Sequence, residues 1–172
     1  GAISGDPPAG RGRGRDRGGA ALLPGDHRLR AHMFPAIARW PARAPNAVLI
    51  SNGLATMGFA LPAAIASALA EPARPVVAFV GDNGLAMSLG ELATAAERGC
   101  RIVIVVFNDA ALSLIDLKQA GRSLPSRGCR TAPVDFAAAA RAFGLEAERI
   151  EATAELPPAL ARAFAGKGPY LL

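Results

Sequence analysis

Two apolar runs constrain most strongly what this chain can fold into. Val76-Val77-Ala78-Phe79-Val80 and Ile102-Val103-Ile104-Val105-Val106-Phe107 are apolar at consecutive positions, so strands built from them need cover on both faces. Each run stops in a polar turn, Gly81-Asp82-Asn83-Gly84 after the first and Asn108-Asp109 after the second. Around them β-branched segments alternate with Ala-rich ones, which predicts strands at 48–52, 75–81, 102–108, 147–150 and 170–172. Helices are expected at 58–70, 88–98, 111–119, 134–143 and 156–165, the last entered through Pro157 and Pro158. Strand alternating with helix implies an α/β fold, a doubly wound and mostly parallel sheet of five or six strands with helices on both faces. Ligands of such a sheet bind outside the carboxyl ends of its strands. The final segment reads as an edge strand without a closing helix, as if the domain were clipped at Leu172.

The chain has 172 residues, 51% hydrophobic and 19% charged, which is material for one core. Its net charge of +5 is local: residues 1–44 hold eight Arg and three Asp, whereas 45–172 are balanced. Residues 1–38, rich in Gly, Pro and Arg, show neither helical nor strand period and are expected to form a disordered leader, with the folded domain at 39–172. The Arg-rich stretch 11–17 has no interleaved aromatic residue for base stacking, which argues against a nucleic-acid partner. The most apolar segment, 57–70, contains Gly58 and Pro62 and stops at Glu71, so no membrane span is expected. Cys100 and Cys129 form no disulfide framework and no Cys/His cluster, and no signal peptide is visible; cytoplasm is the expected location.

In a right-handed crossover the turns after the two central strands lie at one sheet edge, so Asp82 and Asp109 are expected to face one another there. Two carboxylates with a nearby backbone carbonyl suit a hard cation such as Mg²⁺, which completes its octahedron with phosphate oxygens and water. Gly81 and Gly84 let backbone amides approach an anion closely, and a helix opening near 85–88 would direct its positive end to the same spot. A metal with a diphosphate is the ligand these groups suggest. Gly-x-Gly-x-x-Gly and the phosphate loop ending in Gly-Lys-Ser or Gly-Lys-Thr are absent, which disfavours the alternative of a nucleotide- or phosphate-binding module of another type. A third reading is a non-catalytic fragment whose basic leader binds nucleic acid.

Gly81-Asp82-Asn83, the 24 residues from Gly84 to Phe107, and Asn108-Asp109 resemble the thiamine-diphosphate signature, Gly-Asp-Gly followed at a similar distance by Asn-Asn. The segment 51–64, Ser-Asn-Gly-Leu-Ala-Thr-Met-Gly-Phe-Ala-Leu-Pro-Ala-Ala, is similar to the corresponding part of acetolactate-synthase-like enzymes, and Gly90-Glu-Leu-Ala-Thr-Ala95 resembles their intervening helix. The resemblance covers roughly Arg39 to Leu172, the C-terminal thiamine-diphosphate-binding domain. It implies that Asp82 and Asp109 give side-chain ligands to Mg²⁺ and Ala111 a carbonyl. It also implies that amides around Gly81, Asn83 and Gly84 hold the diphosphate, that Met57 wedges between the cofactor rings, and that the Met57 amide and Ala55 carbonyl pair with the aminopyrimidine.

Two positions depart from that pattern. Asn83 replaces a Gly, and Asn tolerates positive φ better than other residues, so the turn is expected to survive. Asp109 replaces an Asn, so two carboxylates would already neutralise the cation. The carboxylate that activates thiamine diphosphate in the resembled family is a Glu from another domain, and no residue of this chain is expected to fill that role; Glu91 reads as structural. The resemblance therefore implies a half-site completed by a pyrimidine-binding domain of another chain or of a missing segment. It further implies a homo- or hetero-oligomer acting on a small 2-oxo acid by decarboxylation or carboligation. His27, His32, Ser51, Lys118 and Cys100 are read as surface, turn, helix-end or core residues.

Overall fold

The computed structural model describes residues 2–4 and 33–172. Six strands form one sheet in the order β2-β1-β3-β4-β6-β5. They are β1 (Ala2–Ser4), β2 (Val48–Leu49), β3 (Val76–Gly81), β4 (Ile102–Phe107), β5 (Glu146–Ala147) and β6 (Tyr170–Leu171). The pairs β3/β4, β4/β6 and β5/β6 are parallel, and β1 alone runs against its two neighbours. Among the described residues seven α-helices accompany it: α1 (Met33–Arg39), α2 (Ala60–Ala70), α3 (Asp82–Met87), α4 (Glu91–Glu97), α5 (Ser113–Ala120), α6 (Phe136–Ala142) and α7 (Leu156–Ala165). The expected α/β class and mostly parallel sheet hold.

Successive strand residues point to opposite faces, and the two central strands sort their side chains accordingly. Val76, Ala78, Val80, Ile102 and Ile104 pack with Leu61 and Ile65 of α2, Leu85 of α3 and Leu92 of α4. Val77 and Val103 pack on the other face with Ala159 and Ala163 of α7 and, at its rim, Trp40. Leu61, Leu85, Leu92 and Ile104 are fully buried; each such side chain contributes about 1.5–3 kcal/mol of transfer free energy. A free thiol, Cys100, sits in the first cluster, where burial raises its pKa.

Several expectations need correction. The leader was read as disordered throughout, yet Ala2–Ser4 pairs with Val76–Ala78 of β3 and with β2, and Met33–Arg39 is helical; residues 5–32, with the Arg-rich stretch, His27 and His32, lie outside the described residues. The final segment is not an edge strand, because β6 sits between β4 and β5, and Leu172 donates to the Ile104 carbonyl (2.8 Å) and accepts from the Val106 amide (2.8 Å). The helix expected at 88–98 is the shorter α4, and a separate helix that was not expected, α3, precedes it, because the chain turns at 88–90, where the Ser88 hydroxyl donates to the Gly84 carbonyl (3.3 Å). β2 is shorter than expected and α2 starts at Ala60, because the intervening loop carries Gly58 at φ +80 and Ala55 at φ +50, incompatible with strand or helix.

Candidate functional site

The register of β3 on β4 sets Gly81 opposite Phe107, so the residues that follow each strand emerge side by side at the carboxyl edge. Asp82 and Asp109 both line one cavity of about 270 Å³ at that edge. The same cavity is lined by the other residues singled out from the sequence: Ala55, Met57, Gly81, Asn83, Gly84 and Ala111.

Asp82 is the first residue of α3, and Gly81 precedes it in extended conformation. Among the described residues it is the one buried charged side chain, 6% exposed. Its Oδ1 accepts from the Asn83 amide (2.7 Å) and from Asn83 Nδ2 (3.0 Å), while its buried Oδ2 has no hydrogen-bond partner. A buried carboxylate oxygen without a partner is costly unless a cation or donor meets it. Asn83 does not adopt the positive φ expected of it: the chain enters a helix at Asp82, so residue 83 needs no left-handed backbone. Gly84 packs closely without being forced by sterics: a Cβ there would meet Val80 Cγ2 at 3.4 Å and the Gly58 amide nitrogen at 3.8 Å, which is ordinary contact.

The opposite wall is the turn after β4. Asp109 Oδ2 accepts a short hydrogen bond from the Ser113 hydroxyl at the start of α5. Ala110 has φ +51, a strained position for a non-glycine residue, and its carbonyl accepts from the Thr131 amide (3.0 Å). The Leu112 amide donates to the Cys129 carbonyl (2.7 Å), and Ala111 forms an isolated antiparallel bridge with Arg130. Segment 129–131 therefore holds the turn that carries Asp109 and Ala111.

The third wall is the loop between β2 and α2, where the Thr56 amide donates to Ser51 Oγ (3.3 Å) and Ala55 takes its positive φ. Met57 stands 47% exposed at the cavity, while Phe79 and Phe107, 6.1 Å apart between ring centroids, close its apolar side. Among the described residues the lining includes two carboxylates and no Lys, Arg or His. Such a cavity repels a diphosphate unless a cation accompanies it. Among the described residues no three His, Cys, Asp or Glu side chains come together as a metal cluster; two carboxylates with backbone oxygen is a donor set for Mg²⁺ rather than for a softer metal. The buried orphan oxygen of Asp82 and this donor set fit a hard divalent cation.

Glu91 opens α4 and does not line the cavity, nor does Lys118. Sequence reading missed Ser113, because a serine at a helix start has an ordinary capping use; its spacing of four residues from Asp109 was the available signal. From the sequence alone the long loop 121–132 reads equally as a lid or binding loop and as an exposed connection. There Gln119 bonds both the Arg127 amide (3.1 Å) and carbonyl (3.2 Å), and the Cys129 thiol donates to Gln119 Oε1 (3.2 Å).

The profile of the thiamine pyrophosphate enzyme C-terminal TPP-binding domain matches residues 25–172. The chain is 36% identical over 143 residues to the acetolactate synthase isozyme 1 large subunit of Escherichia coli (strain K12), covering 82% of this chain and 25% of that protein. It is 37% identical over 131 residues to a probable acetolactate synthase large subunit of Methanococcus aeolicus, covering 74% of this chain and 22% of that protein. An acetolactate synthase of Bacillus subtilis (strain 168) is 31% identical over 128 residues, with 74% and 22% covered. The chain thus spans a quarter or less of the length of these curated relatives.

Proposed function

Since this chain belongs to the thiamine pyrophosphate enzymes as their C-terminal TPP-binding domain, of the acetolactate-synthase-like kind, we propose that its carboxyl-edge cavity binds thiamine diphosphate through Mg²⁺. Asp82 and Asp109 provide side-chain oxygens to the cation and Ala111 its carbonyl, while amides at Gly81, Asn83 and Gly84 receive the diphosphate. Met57 fills the angle between the cofactor rings, with its amide and the Ala55 carbonyl on the aminopyrimidine edge. The observation that carries this reading is that Asp82, whose buried Oδ2 has no hydrogen-bond partner, lines a cavity together with a second carboxylate and, among the described residues, no cationic side chain.

When bound, thiamine diphosphate supplies the electron sink for cleaving the bond beside a 2-oxo group. This chain's own residues would bind and orient: the carboxylates would fix the diphosphate end through the cation, and Phe79 and Phe107 give the cavity an apolar side. Among the described residues no Glu lines the cavity; by resemblance to the family, the activating carboxylate would come from a pyrimidine-binding domain, in another chain or in another segment. Leu114 and Ile115 of α5, 40% and 47% exposed at the cavity rim, with Met57 are the apolar surface such a domain would cover. The substrate class is a small 2-oxo acid, the reaction decarboxylation with carboligation or release, and the assembly an oligomer. Among the described residues no helix is long and apolar enough to cross a membrane; two buried free thiols suit a reducing compartment such as the cytoplasm.

Calorimetric titration of the chain with thiamine diphosphate, with and without Mg²⁺, tests the reading. Saturable binding that needs Mg²⁺ and is lost in Asp82→Ala is expected. Absence of binding at millimolar cofactor, or binding indifferent to Mg²⁺ and to Asp82→Ala, overturns it.

A further inference from the structure

We propose that Gln119, which does not line the cavity, is a positioning residue for the cofactor: its side-chain amide holds segment 127–131 as a strap against the turn 110–112, and so sets one wall of the site. The inference rests on the reading above that this cavity takes thiamine diphosphate.

Apolar packing does not fix this wall. No residue of α5 is buried, and between positions 112 and 135 Cys129 is the one buried residue. Leu114, Ile115 and Leu117 of α5 are exposed instead. The Ala110 backbone stands at φ +51, a conformation that a non-glycine residue leaves when nothing holds it there. Hydrogen bonds therefore decide where the turn lies. The Thr131 amide donates to the Ala110 carbonyl (3.0 Å), the Leu112 amide donates to the Cys129 carbonyl (2.7 Å), and Ala111 bridges Arg130. Ala111 and Leu112 line the cavity, so the strap forms the backing of its wall.

Gln119 is what holds the strap. Its Nε2 donates to the Arg127 carbonyl (3.2 Å) and its Oε1 accepts from the Arg127 amide (3.1 Å), so the side chain pairs with residue 127 as a peptide of a neighbouring strand would. Oε1 also accepts from the Cys129 thiol (3.2 Å). The Gln119 carbonyl accepts from the Arg122 (3.0 Å) and Leu124 (2.9 Å) amides, which turns the chain back toward the strap. This pairing needs a donor and an acceptor on one planar group; a carboxylate would set an acceptor against the Arg127 carbonyl. The ion pair of Arg130 with Asp116 (3.6 Å), largely exposed at Arg130, adds little. Through Arg127 and Cys129, one side chain acts on a cavity that it does not line.

Amide hydrogen exchange of the full chain, resolved by residue, reads the bonds between strap and turn at the Leu112 and Thr131 amides. The Val106 and Leu172 amides, bonded to Leu172 and Ile104 carbonyls (2.8 Å each), are the reference within the sheet. Gln119→Ala, and Gln119→Met, which keeps the length of the side chain and none of its bonds, should speed exchange at Leu112 and Thr131 by about tenfold and leave Val106 and Leu172 unchanged. Both should raise the calorimetric dissociation constant for thiamine diphosphate with Mg²⁺ by about fivefold or more. In the wild type, bound thiamine diphosphate with Mg²⁺ should slow Leu112 and Thr131, because coupling between strap and site is reciprocal. Three results overturn the inference and leave the cofactor reading standing: either variant binding the cofactor like the wild type, faster exchange at all four amides, or wild-type exchange at Leu112 and Thr131 indifferent to a cofactor that calorimetry shows bound. No binding by the wild type overturns both.

Discussion

Asp82 at the carboxyl edge of the sheet and Glu148 beside β5 are both acids held against strands, and the chain treats them in opposite ways. Glu148 is satisfied by its own fold: Arg162 of α7 donates through Nε (2.8 Å) and Nη2 (2.5 Å), and the Tyr170 hydroxyl of β6 donates to Oε1. These bonds, that from Arg162 first, lower the Glu148 pKa to about 2. Asp82 is more buried yet keeps one oxygen without a partner, in a region where Ala55, Gly58 and Ala110 take positive φ. Among the described residues the one buried side-chain oxygen without a partner lies at the carboxyl edge of the sheet, whereas Glu148 is paired through both of its oxygens. The fold satisfies a carboxylate with a clamp of Arg and Tyr at Glu148, whereas one oxygen of Asp82 has no hydrogen-bond partner, which is what the proposed cation site requires.

The widest separation of the two regions should come from ligand. With Mg²⁺ and thiamine diphosphate at about a hundred times their dissociation constant, thermal melts of the wild type should gain about 2.7 kcal/mol of stability. Asp82→Asn should gain none and Glu148→Gln as much as the wild type; equal gains in all three would erase the distinction. A smaller effect is expected from backbone at the strained end. Gly58→Ala, at φ +80 with its new Cβ 3.6 Å from Met87 Cβ, should lose about 1–2 kcal/mol in urea unfolding. An unchanged midpoint would mean that the loop relaxes freely.

In the ligand-free chain Asp82→Asn should be the more stable form by about 1 kcal/mol, because it removes a buried charge and keeps an acceptor for Asn83. A clear loss would show that Asp82 is structural. The subtlest contrast is in pH. Because the folded-state pKa of Glu148 is depressed, its contribution is complete above its ordinary 4.5 and is lost as pH falls from there through about 2. Urea midpoints should therefore fall more steeply over that window in the wild type than in Glu148→Gln; parallel curves would remove Glu148 from the account.

Legibility in the sequence followed the same division. β3 and β4 were readable because strands covered on both faces must be apolar throughout, and α7 because Pro157 and Pro158 fit only a first turn. The positions of Asp82 and Asp109 around one cavity were readable because strand ends in a parallel sheet share an edge. What escaped depends on contacts distant in sequence. β2, β5 and β6 are two residues each, and the internal place of β6 is set by which strands it pairs with, not by its composition. The three-residue β1 carries no period of its own. Asn83 was assigned to a turn because Gly-Asp-Asn-Gly favours one, whereas Leu85 seats in the core, 0% exposed, within a helix that already starts at Asp82.

Cys129 is 1% exposed, and its thiol sits in the bonds among Gln119, Arg127 and the strap next to Ala111. No alkylating reagent can reach that sulfur while the strap is down, so its modification rate counts the moments when the strap lifts. With Cys100 replaced by Ser or Ala, the protein carries its own clock for the breathing of one wall of the cavity, ticking without an added label.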